Sequence, residues 1–512
     1  MRLPVLVTAL AVLVAQPALA AERWAYGDAA MAAYRKGDFG GAVAALKAEL
    51  SKCEASKPAA DECLGLLLAL SNMVLQAGDA KAGEGYARRA LALAEHTLPG
   101  GHRDIITSWE NLAANLNGQG RYADAEALFR RTLPWREASL PAGHPDVAAG
   151  WSNLAVNLNA QGRYADAEGP LRRALAILEA GLPAGHPTIA ASLNNLALNL
   201  NAQGRYADAE SLFRKALSLR ETALPTGHPD IAVSWNNLAE NLNAQGRYAD
   251  AEPLLRKTLA LWETALPAGH PDIATGWNNL ARSMDLQGRY ADAEPLYRRA
   301  LALTEASLPA GHPDIATGLN NLALNLSAQG RYADAEPLYR KALALWEAAL
   351  PAGHPDIATG LNNLARSMDD QGRYGDAELL YRKALALAKA SLPAGHPTIA
   401  RSWSSLARNL SAQGRYTDAE PLFRQALEVR RILAASHPDR ITGHWVMADN
   451  LQRQRKAAAE VRSLYREAGA GAMVRVASFI GFTPAAQAEV RKYRPIFTGQ
   501  VRAAWDLAAE RR

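Results

Sequence analysis

Between His312 and Gly353 the apolar positions fall on two helical faces separated by a short break. Ile315, Leu319, Leu322, Ala323 and Leu326 recur at three- and four-residue steps, the period of an amphipathic helix. Gln329-Gly330 ends that run, and glycine can take the left-handed conformation that follows a helix C-terminus. Tyr332 opens a second run in which Ala335, Leu338, Tyr339, Ala342, Leu343 and Leu345 form the apolar face, until Leu350-Pro351-Ala352-Gly353 closes it. The start is marked by His312-Pro313-Asp314. Proline suits the first helical position, and an aspartate there lies at the positive end of the helix dipole. The histidine ahead of it reads as a loop and cap residue.

This pair of helices is written eight times. His102, His144, His186, His228, His270, His312, His354 and His396 keep a spacing of 42 residues, as do Tyr122, Tyr164, Tyr206, Tyr248, Tyr290, Tyr332, Tyr374 and Tyr416. Self-similarity at such a period is the signature of a stacked array, in which each unit buries its apolar face against its neighbours. Glu336 and Arg340 stand four apart in the favourable order on the second helix. The pair recurs from Glu126/Arg130 to Glu420/Arg424 and reads as a surface brace. Pro337 and its counterparts Pro170, Pro253, Pro295 and Pro421 are expected to bend that helix, because each removes a backbone donor.

These residues resemble a tetratricopeptide repeat in the longer form found in kinesin light chains. Leu319, Leu322, Ala323 and Leu326 match the first helix of that repeat, and Ala335, Tyr339 and Ala342 match the second. Trp109, Trp151, Trp235, Trp277 and Trp403 take the place of Leu319 in other units. The resemblance implies an all-α fold, a right-handed α-solenoid of about eleven antiparallel helix pairs with a helical C-terminal cap. Residues 102–436 form the eight near-identical units. Residues 21–101 and 437–468 read as degenerate units, with imitations of the repeat at Tyr34 to Ala42 and at Gln76 to Ala90. Residues 469–512 read as a cap or linker after a break at Gly469-Ala470-Gly471, with Phe497, Val501, Trp505 and Leu507 on one face. That last stretch also resembles the helical segment preceding CHAT protease domains. After Gly469 the chain has neither histidine nor cysteine, so no such catalytic pair is present there.

The first twenty residues differ from the rest. Arg2, the apolar run Leu3 to Ala15, and Ala18-Leu19-Ala20 read as a cleavable signal peptide, and the apolar run is shorter than a membrane span requires. The mature chain is therefore expected to be periplasmic or secreted, with no membrane span. Cys53 and Cys63, the only cysteines, are expected to form a disulfide in that compartment; free thiols or half a metal site are the rival readings.

Composition adds little. A net charge of +5 on 56 basic and 51 acidic residues, with no Lys/Arg block, gives no sign of nucleic-acid binding. Equivalent histidines in successive units are too far apart to share a metal. The sequence contains no P-loop, dinucleotide glycine pattern, HExxH or nucleophile elbow. No catalytic, cofactor or metal residues are assigned, and the chain is expected not to be an enzyme.

The candidate site is the wall lined by the first helices, where the resemblance places partner binding. Asn194, Asn195, Asn236, Asn237, Asn278, Asn279, Asn320, Asn321, Asn362 and Asn363 form an amide ladder there. Such amides either pair with a partner's backbone or tie one unit to the next. The residue two places after the Leu-Ala leucine varies most: Ala114, Val156, Leu198, Glu240, Arg282, Leu324, Arg366 and Arg408. Specificity is expected where the copies differ. The expected function is a scaffold holding a protein or peptide segment in this groove. The alternatives are the regulatory arm of a TPR-CHAT type protease, and an envelope carbohydrate-binding protein with exposed tryptophans.

Overall fold

Each unit opens on the same hydrogen bond. The Nδ1 of His102, His144, His186, His228, His270, His312, His354 and His396 accepts the backbone N–H two residues on, at 3.0–3.2 Å. Each histidine is thus the N-cap of the first helix, satisfying a donor that the helix itself leaves unpaired. The sixth unit shows the general form. Its first helix runs Pro313–Ala328 and its second Tyr332–Ala349, joined by a turn at Gly330. The second helix continues through Pro337 without interruption.

Small residues let the pairs close. Ala323 and Ala335 are fully buried where the two helices meet, with Leu322, Leu326 and Tyr339 around them. Burying each such leucine contributes about 1.5–3 kcal/mol. The stack is therefore held by a continuous apolar layer running from unit to unit.

The computed structural model describes residues 28–35, 38–56, 62–431, 433–456, 458–477 and 484–510. The leader assigned to residues 1–20 lies outside the described residues. Among those described there are 23 helices. Two helix pairs precede the eight units (Asp28–Arg35 with Phe39–Ala55, and Glu62–Gln76 with Ala80–Thr97). One pair follows (Pro438–Arg453 with Ala458–Ala477), and a terminal helix, Pro484–Glu510, packs on it. Cys53 and Cys63 are disulfide-bonded, with Cα atoms 5.8 Å apart.

Two details at the C-terminus differ from the sequence reading. Gly469-Ala470-Gly471 is not a break, because the helix runs through it to Ala477. A Cβ at Gly471 would lie 2.3 Å from the Ala435 carbonyl oxygen, so glycine serves close packing there. Phe497, Val501 and Trp505 do share a face, but Val501 and Trp505 are exposed. Tyr493, Ile496 and Ala503 form the buried side.

Successive turns of the superhelix touch. The His396 ring faces the Ala160 carbonyl oxygen, Nε2 to O 3.1 Å, across 236 residues of sequence. Since its Nδ1 accepts from the Thr398 N–H, Nε2 carries the hydrogen and donates. Arg475 donates to the Ala244 carbonyl in the same way, and the His437 ring stacks on Tyr206. One turn therefore takes about five and a half units, set by the small rotation per repeat. Gly162 lies in this seam with φ +73°, where a Cβ would stand 2.3 Å from the Pro397 ring.

Candidate partner-binding wall

The acidic residue of each second helix is a node between units. Glu210 binds Arg214 on its own helix at 2.8 Å, Gln245 of the next first helix at 2.9 Å, and Arg247 of the next turn at 2.9 Å. Arg247 in turn holds Asp250 at 2.8 Å. Burial pushes the Glu210 carboxyl up, but the hydrogen bonds from Gln245 and Arg214 and the charge of Arg247 outweigh it and hold it below the ordinary carboxylate range. The same direction holds at Glu84, Glu168, Glu252, Glu294, Glu336, Glu378 and Glu420. The four-residue spacing shows only half of this node. The other half joins residues 37 apart, such as Arg163 and Glu126.

The amide ladder is wired in the same internal way. Asn237 donates to Asn194 at 2.9 Å, Asn279 to Asn236 at 2.9 Å, and Asn363 to Asn320 at 2.8 Å. Asn362 donates to the Ala358 carbonyl and to Ser402. Asn194, Asn195, Asn236, Asn237, Asn279, Asn320 and Asn362 are buried, and Asn278, Asn321 and Asn363 are half-buried. Of the two roles open to these amides, the geometry displays the tie between units.

A second ladder, which the sequence reading passed over, lies one turn further along the first helix. Asn157 donates to Asn117, Asn199 to Asn159, and Asn241 to Asn201, each also reaching a tyrosine carbonyl of the preceding unit. In the later units the acceptor alternates between a carboxylate and a serine: Asn325 donates to Asp285 at 2.7 Å, Asn409 to Asp369 at 2.6 Å, and Asn450 to Ser411 at 3.0 Å. The second-helix position facing these acceptors changes too. It is Phe129, Leu171, Phe213 and Leu255 in the first four units, and Tyr297, Tyr339 and Tyr381 in the next three. The Tyr297 hydroxyl donates to Asp285 at 3.0 Å, and the Tyr339 hydroxyl lies 3.4 Å from that of Ser327. Burial raises the Asp285 carboxyl to about 6, against the pull of Asn325, Tyr297 and Arg282.

The varying column divides into paired and open positions. Glu240 and Arg282 form an ion pair with each other across two units, and burial lowers the Arg282 pKa. Leu324 is half-buried, and Arg366 and Arg408 are exposed. The indole N–H groups of Trp151, Trp235 and Trp277 donate to Glu137, Glu221 and Glu263, and Trp109 and Trp235 are buried. These rings are packed and partnered, which removes the support for a row of sugar-binding platforms. Among the described residues, no group of three or more His, Cys, Asp or Glu side chains could hold a metal ion. No described helix is long and apolar enough to cross a membrane.

The fold and its wall define a repeat protein, a stack of helix pairs whose constant positions link one unit to the next. Residues 104–180, 146–222, 230–306 and 314–390 match one tetratricopeptide repeat model, and residues 194–265 and 399–439 match two others. The chain belongs to the tetratricopeptide repeat family. Among solved structures it is similar to the nearly identical TPR-like repeats of a Podosopora anserina protein assigned as a kinesin light chain. The identity is 26%, covering 40% of this chain and 96% of that one, with a TM-score of 0.34. It is also similar to BtubC (BKLC) from P. vanneervenii, at 21% identity, 46% and 91% coverage and a TM-score of 0.36. A third similarity is to a Rap protein complexed with competence and sporulation factor, at 13% identity, 68% and 98% coverage and a TM-score of 0.43. No curated protein matches the chain.

Proposed function

We propose that this protein is a non-enzymatic interaction scaffold that holds a segment of a partner protein against the wall formed by its first helices. One observation carries the reading. The constant polar residues bond to one another as caps, nodes and ladders, whereas the column that varies between units presents Arg366 and Arg408 to solvent. A surface with exposed, differing residues on a fixed frame is suited to specific recognition. The contacts between superhelical turns bring neighbouring turns together at the seam, so a segment reaches the wall from the ends of the coil. The chain is further taken to act outside the cytoplasm, a reading supported by the Cys53–Cys63 disulfide, since such bonds persist in oxidising compartments.

Photo-crosslinking tests the scaffold. A photoreactive residue at position 324, 366 or 408 should capture one partner band, competed by unmodified protein, while the same residue at Arg382 on the second helix of unit 7 should not. Equal capture at Arg382 would contradict the wall as the binding surface.

A further inference from the structure

At the C-terminal end the wall leads into a cavity of about 810 Å³. It is open to solvent and lined mainly by the first helix of unit 8 (Pro397–Ala412), the helix Pro438–Arg453 and the terminal helix Pro484–Glu510. Four arginines line it: Arg408, Arg453, Arg494 and Arg502. Arg453 is held by Asp449 at 2.7 Å, the single acidic residue of the lining. Among the described residues Arg408, Arg494 and Arg502 make no ion pair, in a chain whose node arginines each hold a carboxylate. The nearby carboxylates are shared with other groups: Asp369 accepts from Asn409 while also attracting Arg408, and Asp506 accepts from Gln452.

The rest of the cavity is apolar. Phe423, Trp445 and Tyr465 line it. Gly499 lets the terminal helix close over Tyr465, because a Cβ there would lie 2.3 Å from that ring. On the terminal helix Arg494, Thr498 and Arg502 form one four-residue row. At 100° per residue, Val490, Val501 and Trp505 form the adjoining row. Those three are exposed, Trp505 at 73%. Unpaired positive charge beside an exposed apolar strip marks an interaction surface.

We propose that this terminal cavity docks an acidic peptide segment of a partner protein. Its carboxylates bind Arg408, Arg494 and Arg502, and an apolar side chain packs on Trp445. The assignment rests on the scaffold reading and names the chemistry of the partner. Arginine suits it because its planar fork matches a carboxylate.

The test is a fluorescence-anisotropy titration of the full chain with a labelled peptide of alternating glutamate and leucine. A glutamine/leucine peptide and a single-stranded oligonucleotide serve as controls. The acidic peptide should bind saturably and weaken as salt rises. Its affinity should fall roughly tenfold or more in the Arg494→Glu/Arg502→Glu double variant and in Arg408→Glu. These side chains are exposed, and unchanged circular dichroism checks that the variants fold. Unchanged affinity in the variants, or equally tight binding of either control, would overturn the assignment. Loss of affinity in Arg366→Glu with none in the double variant would overturn the terminal site and leave the scaffold intact. Saturable peptide binding together with equal partner capture at Arg382 would instead overturn the scaffold reading and leave the terminal site intact.

Discussion

Units 1–4 and units 5–8 share one framework and differ in their wall. In the early half Asn157, Asn199 and Asn241 donate to other amides, with Phe or Leu behind them. In the later half Asp285 and Asp369 replace two of the acceptor amides, tyrosine replaces Phe or Leu in units 5–7, and Arg366 and Arg408 are exposed. The caps and nodes are the same on both sides, and so are the helix bounds, except that the second helix of unit 8 ends early, at Arg430. The fold therefore tolerates a change of wall chemistry from neutral to charged on one framework. A repeat array can vary its surface in this way because each unit depends only on its neighbours.

The difference can be broken at several points. The largest effect should come from the early ladder. Asn241 is fully buried and makes bonds to Asn201, the Tyr206 carbonyl and Gln245. Asn241→Ala leaves several groups unpaired and should cost about 2–4 kcal/mol. Ser283, its counterpart in unit 5, makes one bond, to Asn243, so Ser283→Ala should cost about 1 kcal/mol. Urea unfolding of the two variants measures the gap, and equal losses would contradict the ladder as the early half's main polar tie.

The seam gives the next effect. Gly162 and Gly288 both have positive φ, but a Cβ meets the Pro397 ring at Gly162 and nothing at Gly288. Gly288→Ala should cost about 1 kcal/mol from backbone strain alone. Gly162→Ala should cost about 1 kcal/mol more, because the neighbouring turn must shift. Thermal unfolding compares them, and identical losses would mean that the turns do not touch in solution.

The smallest effect is a gain. Asp285 is raised to about 6 from an ordinary 3.8, so ionising it costs more in the folded chain than in the unfolded one. That penalty is absent below the ordinary value, grows between 3.8 and about 6, and is complete above it. Asp285→Asn restores the amide found at Asn159, Asn201 and Asn243. It should raise Tm by a few degrees at pH 8, with the gain fading as pH falls toward 4. A gain that is the same at both pH values would contradict burial as the cause.

Much of the framework is legible in the sequence, because its spacings are local. The His-Pro-Asp starts, the Glu336/Arg340 step and the two apolar faces all lie within one unit. The missed contacts span units. Arg163 meets Glu126 37 residues away, and Asn237 meets Asn194 43 residues away, distances that acquire meaning only when units are stacked. The His396–Ala160 contact depends on rotation accumulated over more than five units, which no single repeat displays. The pairing of Glu240 with Arg282 is hidden for the same reason, since a single helix does not show that the two meet in the stack.

The central claim is that recognition lies in the varying column and stability in the constant one. One exchange tests it directly. Arg366→Val/Arg408→Leu gives the later wall the residues found at Val156 and Leu198, and Glu336→Ala/Arg340→Ala removes a node while leaving the wall. The measurement is the affinity of the full chain for the glutamate/leucine peptide, with Tm taken alongside. The first pair should lose roughly tenfold or more in affinity at nearly unchanged Tm, and the second should keep its affinity and lose Tm. The opposite pattern, with binding lost at the node and retained on the altered wall, would contradict the account.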